Sequence, residues 1–189
     1  DDQPTQSIGA LALSPSNPDV IWVGTGEGNP RNSHSSGRGV FRSIDGGATW
    51  EMMGLEETHN IHRIIIHPND SKTVWVGATG TAWGDSPHRG VYKTTDGGIS
   101  WNQVLYADER TGVADMIIDP SNPDKLLVAM WSHRREPWFF TSGGEGSALH
   151  ITYDGGEKWK KLTSDEGMPE GEMGRIGLAI SAANPDVIY

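Results

Sequence analysis

The sequence predicts an all-β fold: a partial β-propeller of four-stranded antiparallel blades, three complete blades plus half of a fourth, forming a fragment of a larger propeller. Three observations carry this. The stretch Ser43-Ile44-Asp45-Gly46-Gly47-Ala48-Thr49-Trp50 returns as Thr94-Thr95-Asp96-Gly97-Gly98-Ile99-Ser100-Trp101 and as Thr152-Tyr153-Asp154-Gly155-Gly156-Glu157-Lys158-Trp159, with the aspartates 51 and 58 residues apart. A period near fifty residues marks a propeller or another repeat array. Ahead of each copy stand two apolar runs joined by a Pro/Asn/Asp turn, a two-strand signal. No segment sustains a 3.6-residue apolar period, and 25 glycines and 8 tryptophans suit many short strands.

Taken in order, the first unit predicts strands a to d at Leu11–Ser14, Val20–Thr25, Val40–Ser43 and Trp50–Met53. The second predicts Arg63–His67, Val74–Ala78, Val91–Thr95 and Trp101–Leu105, and the third Val113–Ile118, Leu126–Met130, Leu149–Tyr153 and Trp159–Leu162. A last half unit carries Leu178-Ala179-Ile180 and Asn184-Pro185-Asp186-Val187-Ile188-Tyr189. The expected blades are 7–54, 60–105 and 112–163, with the half blade at 175–189. Continuous apolar runs in strands a and b call for cover on both sheet faces, which sets strand a innermost and strand d outermost. An antiparallel sandwich needs no fifty-residue repeat, so it ranks second. Closed rings typically have four to eight blades. This arc is therefore expected to show a raw apolar face at each end, to be covered by the remaining blades of the parent propeller or by another protein chain.

The repeated octapeptide has a turn to make. Its glycines permit positive φ, and Asp45, Asp96 and Asp154 can accept backbone N–H bonds across the turn. Trp50, Trp101 and Trp159 open the returning strand and are expected to supply a large buried surface. Lys158 stands where the other copies have a hydroxyl, so the third turn should lack one hydrogen bond.

These residues resemble the Asp-box (BNR) repeat, hydroxyl-x-Asp-x-Gly-x-Thr-Trp, of sialidases, xyloglucanases, sortilin-type receptors and a photosystem assembly factor. The resemblance covers nearly the whole chain. It implies a large, secreted, periplasmic or cell-surface bacterial repeat protein, sortilin-like or BNR glycosyl-hydrolase-like. Enzymes and receptors share the repeat, so it speaks for the fold more than for an activity.

Composition narrows the function classes. A net charge of −10 argues against nucleic acid and anionic membranes as partners. There is no Cys, hence no disulfide or thiolate site. No apolar run approaches the roughly 20 residues of a membrane-spanning helix, so no membrane insertion is expected. No signal peptide is visible, as expected of a mature chain or an excised piece. No cofactor is expected: Gly24-Thr25-Gly26-Glu27-Gly28-Asn29 has Asn where a dinucleotide loop needs its third Gly, and Pro30 follows instead of a helix. No metal is expected either, because His59, His62 and His67 on a strand do not share a face as they would on a helix.

Blade connectivity puts the a–b turns and Asp boxes on one face and the b–c loops and d–a connections on the other. The first face repeats nearly verbatim. The b–c loops, Gly26–Gly39, Thr79–Gly90 and Trp131–Ala148, are long and mutually unlike, as a binding surface on a rigid scaffold would be. They concentrate Arg31, Arg38, Arg89, Arg134 and Arg135 with Trp83, Trp131, Trp138 and Phe139. Arginine forks read anionic groups and aromatic faces stack on sugars or peptide side chains. The expected ligand is a peptide or a glycan, bound through Arg31, Arg38, Arg89, Arg134, Trp83 and Trp138 by a non-catalytic binding or scaffold segment.

The alternative is a glycoside hydrolase of xyloglucanase/BNR type with Glu27, Asp85 or Asp115 as acid or base. Such enzymes need two carboxyls roughly 5–5.5 Å or 6.5–9.5 Å apart. Glu27 and Asp85 occupy equivalent loops of adjacent blades and could converge. Asp115 begins an inner strand level with Arg63 and is expected to pair with it. A sialidase is disfavoured, since the resemblance implies an Arg-Ile-Pro signature, and Arg63-Ile64-Ile65 and Arg175-Ile176-Gly177 do not match it. In xyloglucanases the resemblance implies two acids drawn from separate propellers.

Overall fold

The computed structural model describes residues 3–189. It is all-β, with three antiparallel sheets standing side by side in an unclosed arc. The first sheet runs in chain order through β1 (Ile8–Leu13), β2 (Ile21–Thr25), β3 (Val40–Ser43) and β4 (Glu51–Met52). The second follows the same order through β5 (Ile61–His67), β6 (Asp70–Ala78), β7 (Gly90–Thr94) and β8 (Asn102–Leu105). The third holds β9 (Thr111–Ile118), β10 (Leu126–Glu136), β12 (Ala148–Thr152) and β13 (Lys160–Lys161), with β11 (Phe139–Ser142) added against the far half of β10. Sequential meanders of this kind, arranged side by side, make a partial β-propeller. Strand β1 packs on β5, and β5 on β9, so the first strand of each blade faces the hub.

The core lies between blades. Trp22, Val40, Ile61, Ile64, Val74 and Val76 fill the first interface, and Trp75, Val91, Val113, Met116, Leu126 and Val128 the second. Leu127, Ala129, Leu149 and Ile151 fill the third, against Ile176, Leu178 and Ile188 of the final segment. That segment closes only through an isolated bridge between Ile180 and Ile188. At the opposite end the first sheet leaves one side open: Ile8, Leu11 and Leu13 are exposed, Leu11 by 63%.

Each Asp box repeats one geometry. Ser43, Thr94 and Thr152 donate their hydroxyls to Asp45, Asp96 and Asp154 at 2.7 Å and accept the N–H of the second glycine. The first glycine's N–H donates to the a–b turn of its own blade, at Asp19, Lys72 or Asp124 O, which ties both features to one face. Thr49 and Ser100 give the carboxylate a second hydroxyl bond at 2.6 Å. Lys158 gives Asp154 only its backbone N–H, at 2.9 Å, so the third turn lacks that bond. The carboxyl pKa values follow. Asp45 is lowered to about 2, first by the Thr49 hydroxyl; Asp96 is lowered by Ser100; Asp154 is lowered chiefly by the Lys158 backbone N–H.

Two expectations need correcting. The stretch Trp131–Ala148 is not all loop: β10 continues to Glu136 and β11 folds back on it, pairing Glu136 with Phe139 and His133 with Ser142. The Asp-box tryptophans Trp50, Trp101 and Trp159 are only half-buried, and the fully buried indoles are Trp22 and Trp75 of the second strands.

Candidate functional site

The face opposite the Asp boxes carries the b–c loops, and the structure divides it into two regions. The first lies between the second and third blades. Here the β10–β11 hairpin runs along the loop of residues 79–90, with the Arg135 N–H donating to Ala82 O at 2.7 Å. Arg134 reaches across to Asp85 at 3.1 Å and also pairs with Glu136 at 3.2 Å. Arg110, from the connection before β9, gives Asp85 a second cation at 3.0 Å. The ion pairs hold a shallow surface whose aromatics stay open: Trp138 is 84% exposed at the hairpin tip, Phe139 beside it is exposed, and Trp83 on the facing loop is 39% exposed.

The second region is the hub mouth. Glu27 pairs with Arg31 and accepts the Ser35 N–H at 2.9 Å. The Arg31 hydrogen bond is the main reason its carboxyl is held below the ordinary glutamate value. Arg63 Nε donates to Asp115 Oδ1 at 2.6 Å, the inter-blade ion pair expected from their level positions. Burial pushes Asp115 up, but Arg63 and the N–H groups of Leu178 and Met116 together outweigh it and leave it lowered. Arg175, from the connection into the final segment, spans the mouth. It donates to Asn29 Oδ1 at 2.6 Å in the first blade's loop, lies 2.9 Å from His62 Nε2 of β5, and stacks 5.2 Å over the Trp131 ring. Burial, then Arg63 and Arg175, hold His62 down to about 4, so it is neutral near pH 7 and accepts from the guanidinium.

The remaining candidates separate cleanly. Arg89 is fully buried and offers no ligand contact; it donates to the carbonyls of Thr79 and Gly84 at 2.8 and 3.1 Å, and also to Thr81 O, bracing its own loop. Arg38 is exposed and makes no side-chain ion pair among the described residues. Glu27 and Asp85 share no partner: Glu27 is bound by Arg31, and Asp85 by Arg110 and Arg134. His67 accepts the Asn69 N–H while His62 faces Arg175. Reading the loops alone missed Arg110 and Arg175. Their signal was positional, because d–a connections share the loop face by strand order.

Comparisons with known proteins bear on the fold. A xyloglucanase from Paenibacillus sp is 22% identical over 202 residues, covering 94% of this chain and 18% of that protein. The crystal structure of an ancestral GH74 enzyme matches with a TM-score of 0.68 at 17% identity, over 97% of this chain and 21% of that one. The Niastella koreensis GH74 enzyme matches with a TM-score of 0.66 at 19% identity, over 95% and 24%. The chain thus spans about a fifth to a quarter of the length of these relatives, and the likeness is one of fold. No helix among the described residues is long and apolar enough to cross a membrane. The model of the Sortilin-Vps10 family, described as sortilin, neurotensin receptor 3, matches residues 38–169. With three Asp boxes bracing blade after blade and that match over most of its length, the chain belongs to the Sortilin-Vps10 family.

Proposed function

We propose that this chain is the substrate-binding part of a secreted or cell-surface carbohydrate-active propeller, of the same general kind as the GH74 enzymes it matches. Its ligand is a glycan lying across the hairpin and the loop of residues 79–90. The observation that carries this reading is the open aromatic surface of Trp138, Phe139 and Trp83, held on a frame of ion pairs around Asp85. Sugar rings present apolar faces to indoles and hydroxyls to the guanidinium and carboxylate groups beside them. Rigid anchors reduce the ordering cost of binding.

The acids fit a divided catalytic role. Glu27 and Asp115 are both lowered and therefore ionised near pH 7. An ionised carboxylate suits a base or nucleophile, whereas the proton donor of a glycosidase needs a raised pKa. Glu27 lines the hub mouth beside an open cavity and is the better placed of the two. On this reading the proton donor comes from outside these residues. A second reading, binding without catalysis, is favoured by one observation: each of Glu27, Asp85 and Asp115 already has an arginine partner.

The test is titration of the protein with cello-oligosaccharides and xyloglucan oligosaccharides, followed by tryptophan fluorescence. Trp138→Ala and Trp83→Ala should each weaken binding by roughly ten- to a hundredfold, in line with about 1–3 kcal/mol per aromatic stack. Binding unchanged in both variants would remove the reading. Hydrolysis of bound oligosaccharide by a parent protein carrying further propeller blades, abolished by Glu27→Gln, would separate catalysis from binding.

A further inference from the structure

The first blade offers a face that the other two keep covered. Register places Leu11 on Val23 and Val23 on Phe41, as Ile64 lies on Val76 and Val76 on Tyr92 in the second blade. Ile64 and Ile66 are buried against the first blade, and Met116 of the third blade against the second. Leu11 and Leu13, at the positions of Ile64 and Ile66, are exposed. The Asp-box end of this face is equally unmatched. At both interior joints an indole of the preceding blade, Trp22 or Trp75, lies against the Asp-box glycines of the following one, and a cation, Arg42 or Lys93, reaches the same turn. Gly46 O, the counterpart of Gly97 O and Gly155 O, accepts no hydrogen bond among the described residues. Trp101 donates back to Met53 O of the preceding blade at 2.7 Å, whereas Trp50 turns its N–H onto Gly47 O of its own turn at 3.1 Å.

We propose that this face binds one further Asp-box blade, whose second strand carries an indole and whose third strand carries an arginine. The joints already formed supply the argument: a face of this register takes such a blade, indole and cation included, twice in this structure, and repeat arrays are held by nearest-neighbour interfaces of one kind. The indole lies against Gly46 and Gly47. The arginine donates to Gly46 O, as Arg42 does to Gly97 O. A lysine fits less well, because Lys93 pairs with Glu157 and the corresponding residue after Gly47 is Ala48. Trp50 then exchanges Gly47 O for a carbonyl of the incoming blade, in the manner of Trp101. The occupant is a blade of the parent protein and not a second copy of this chain. A second copy offers only Tyr189, the exposed counterpart of Trp22 in the final segment, and among the described residues no third strand stands beside it to carry the cation.

The test extends the full chain with a copy of residues 7–59 placed ahead of residue 7. That copy supplies a blade with Trp22, Arg42 and the connection into the next unit. Its strands should be protected from hydrogen exchange as part of one cooperative array. The original Trp50 indole, followed by fluorine NMR of 5-fluorotryptophan and assigned with Trp50→Phe, should shift toward the Trp101 resonance. Made in the added copy alone, Trp22→Ala and Arg42→Gln should each reduce the protection, and Arg42→Lys should not restore it. Leu11→Asp in the original blade should leave the unextended chain's unfolding midpoint unchanged, since Leu11 is exposed there, yet release the added blade. An added blade that exchanges freely overturns the proposal. So does protection that survives Leu11→Asp, or that is indifferent to Trp22→Ala and Arg42→Gln in the added copy. Concentration-dependent self-association of the unextended chain, lost in Tyr189→Ala, would give the face to a second copy and overturn it as well.

Discussion

Trp75 of β6 donates its indole N–H to Gly155 O, 3.0 Å away and in the Asp box of the next blade. Lys93 of β7 completes the grip, 5.7 Å over the Trp75 ring and 3.2 Å from Glu157. One blade earlier Trp22 packs edge-on against Trp101 at 5.9 Å, while Arg42 donates to Gly97 O at 2.6 Å and lies over the Trp22 ring. A buried aromatic on the second strand and a cation on the third thus hold the turn of the following blade.

That grip predicts a graded loss. Trp75→Phe keeps most of the volume and removes the hydrogen bond, costing about 1 kcal/mol. Trp75→Ala leaves a cavity and costs about 3–5 kcal/mol. Urea denaturation monitored by circular dichroism measures both; a Trp75→Phe variant as stable as the parent would show that the hydrogen bond contributes nothing, and equal costs in the two variants that the lost volume adds nothing.

Gly98 and Gly167 separate packing from backbone strain. Both have positive φ, +92° and +87°. A Cβ at Gly98 would stand 2.6 Å from the Trp22 ring, whereas one at Gly167 meets nothing within 4 Å. Gly167→Ala should cost about 1–2 kcal/mol from φ alone. Gly98→Ala should cost about 1–3 kcal/mol more. Thermal midpoints of the two variants are the measurement.

Lys158→Thr should stabilise the protein. The new hydroxyl would supply Asp154 with the bond that Thr49 and Ser100 give their aspartates, worth about 0.5–1.5 kcal/mol. An upward shift of the unfolding midpoint, together with a lower Asp154 pKa by NMR, is the expected pair of results.

Acid should unfold the protein through its buried histidines. Burial is the chief cause holding His62 and His150 to about 4 and His133 to about 3, against 6.5 for a free imidazole. Between those limits the unfolded chain binds protons that the folded one refuses. Stability is therefore full above about pH 6.5 and falls as pH drops toward 4. His133→Phe should flatten that slope; a slope unchanged by the substitution would assign it to other groups.

The blades were legible because their cause is local and repeated. An apolar run, a Pro/Asn turn and an Asp-Gly-Gly octapeptide dictate four strands without reference to the rest of the chain, and even the missing bond at Lys158 could be read from one residue. The Arg63–Asp115 pair was legible for a related reason, since equivalent positions on inner strands fall level in space. The β11 hairpin escaped, although Phe139-Phe140-Thr141-Ser142 after a Pro137-Trp138 turn is a fair strand signal. Arg89 looked like a surface arginine because nothing local announces that three carbonyls will surround it. Arg175 was hidden by distance, since its partners Asn29, His62 and Trp131 lie on three other stretches of chain.

The grip of Trp22 with Arg42, and of Trp75 with Lys93, always points one way along the chain. Each unit holds out a hand toward its successor and a handle toward its predecessor. In the third unit Leu127 and Ile151 occupy the matching register positions and offer only grease. A module exchanged between the first two positions should still engage its new neighbour. The joint after the third lacks this aromatic-and-cation grip and keeps only Leu178 N–H to Asp115 and Lys125 Nζ to Pro185 O, so it is where pulling on the array should first part it.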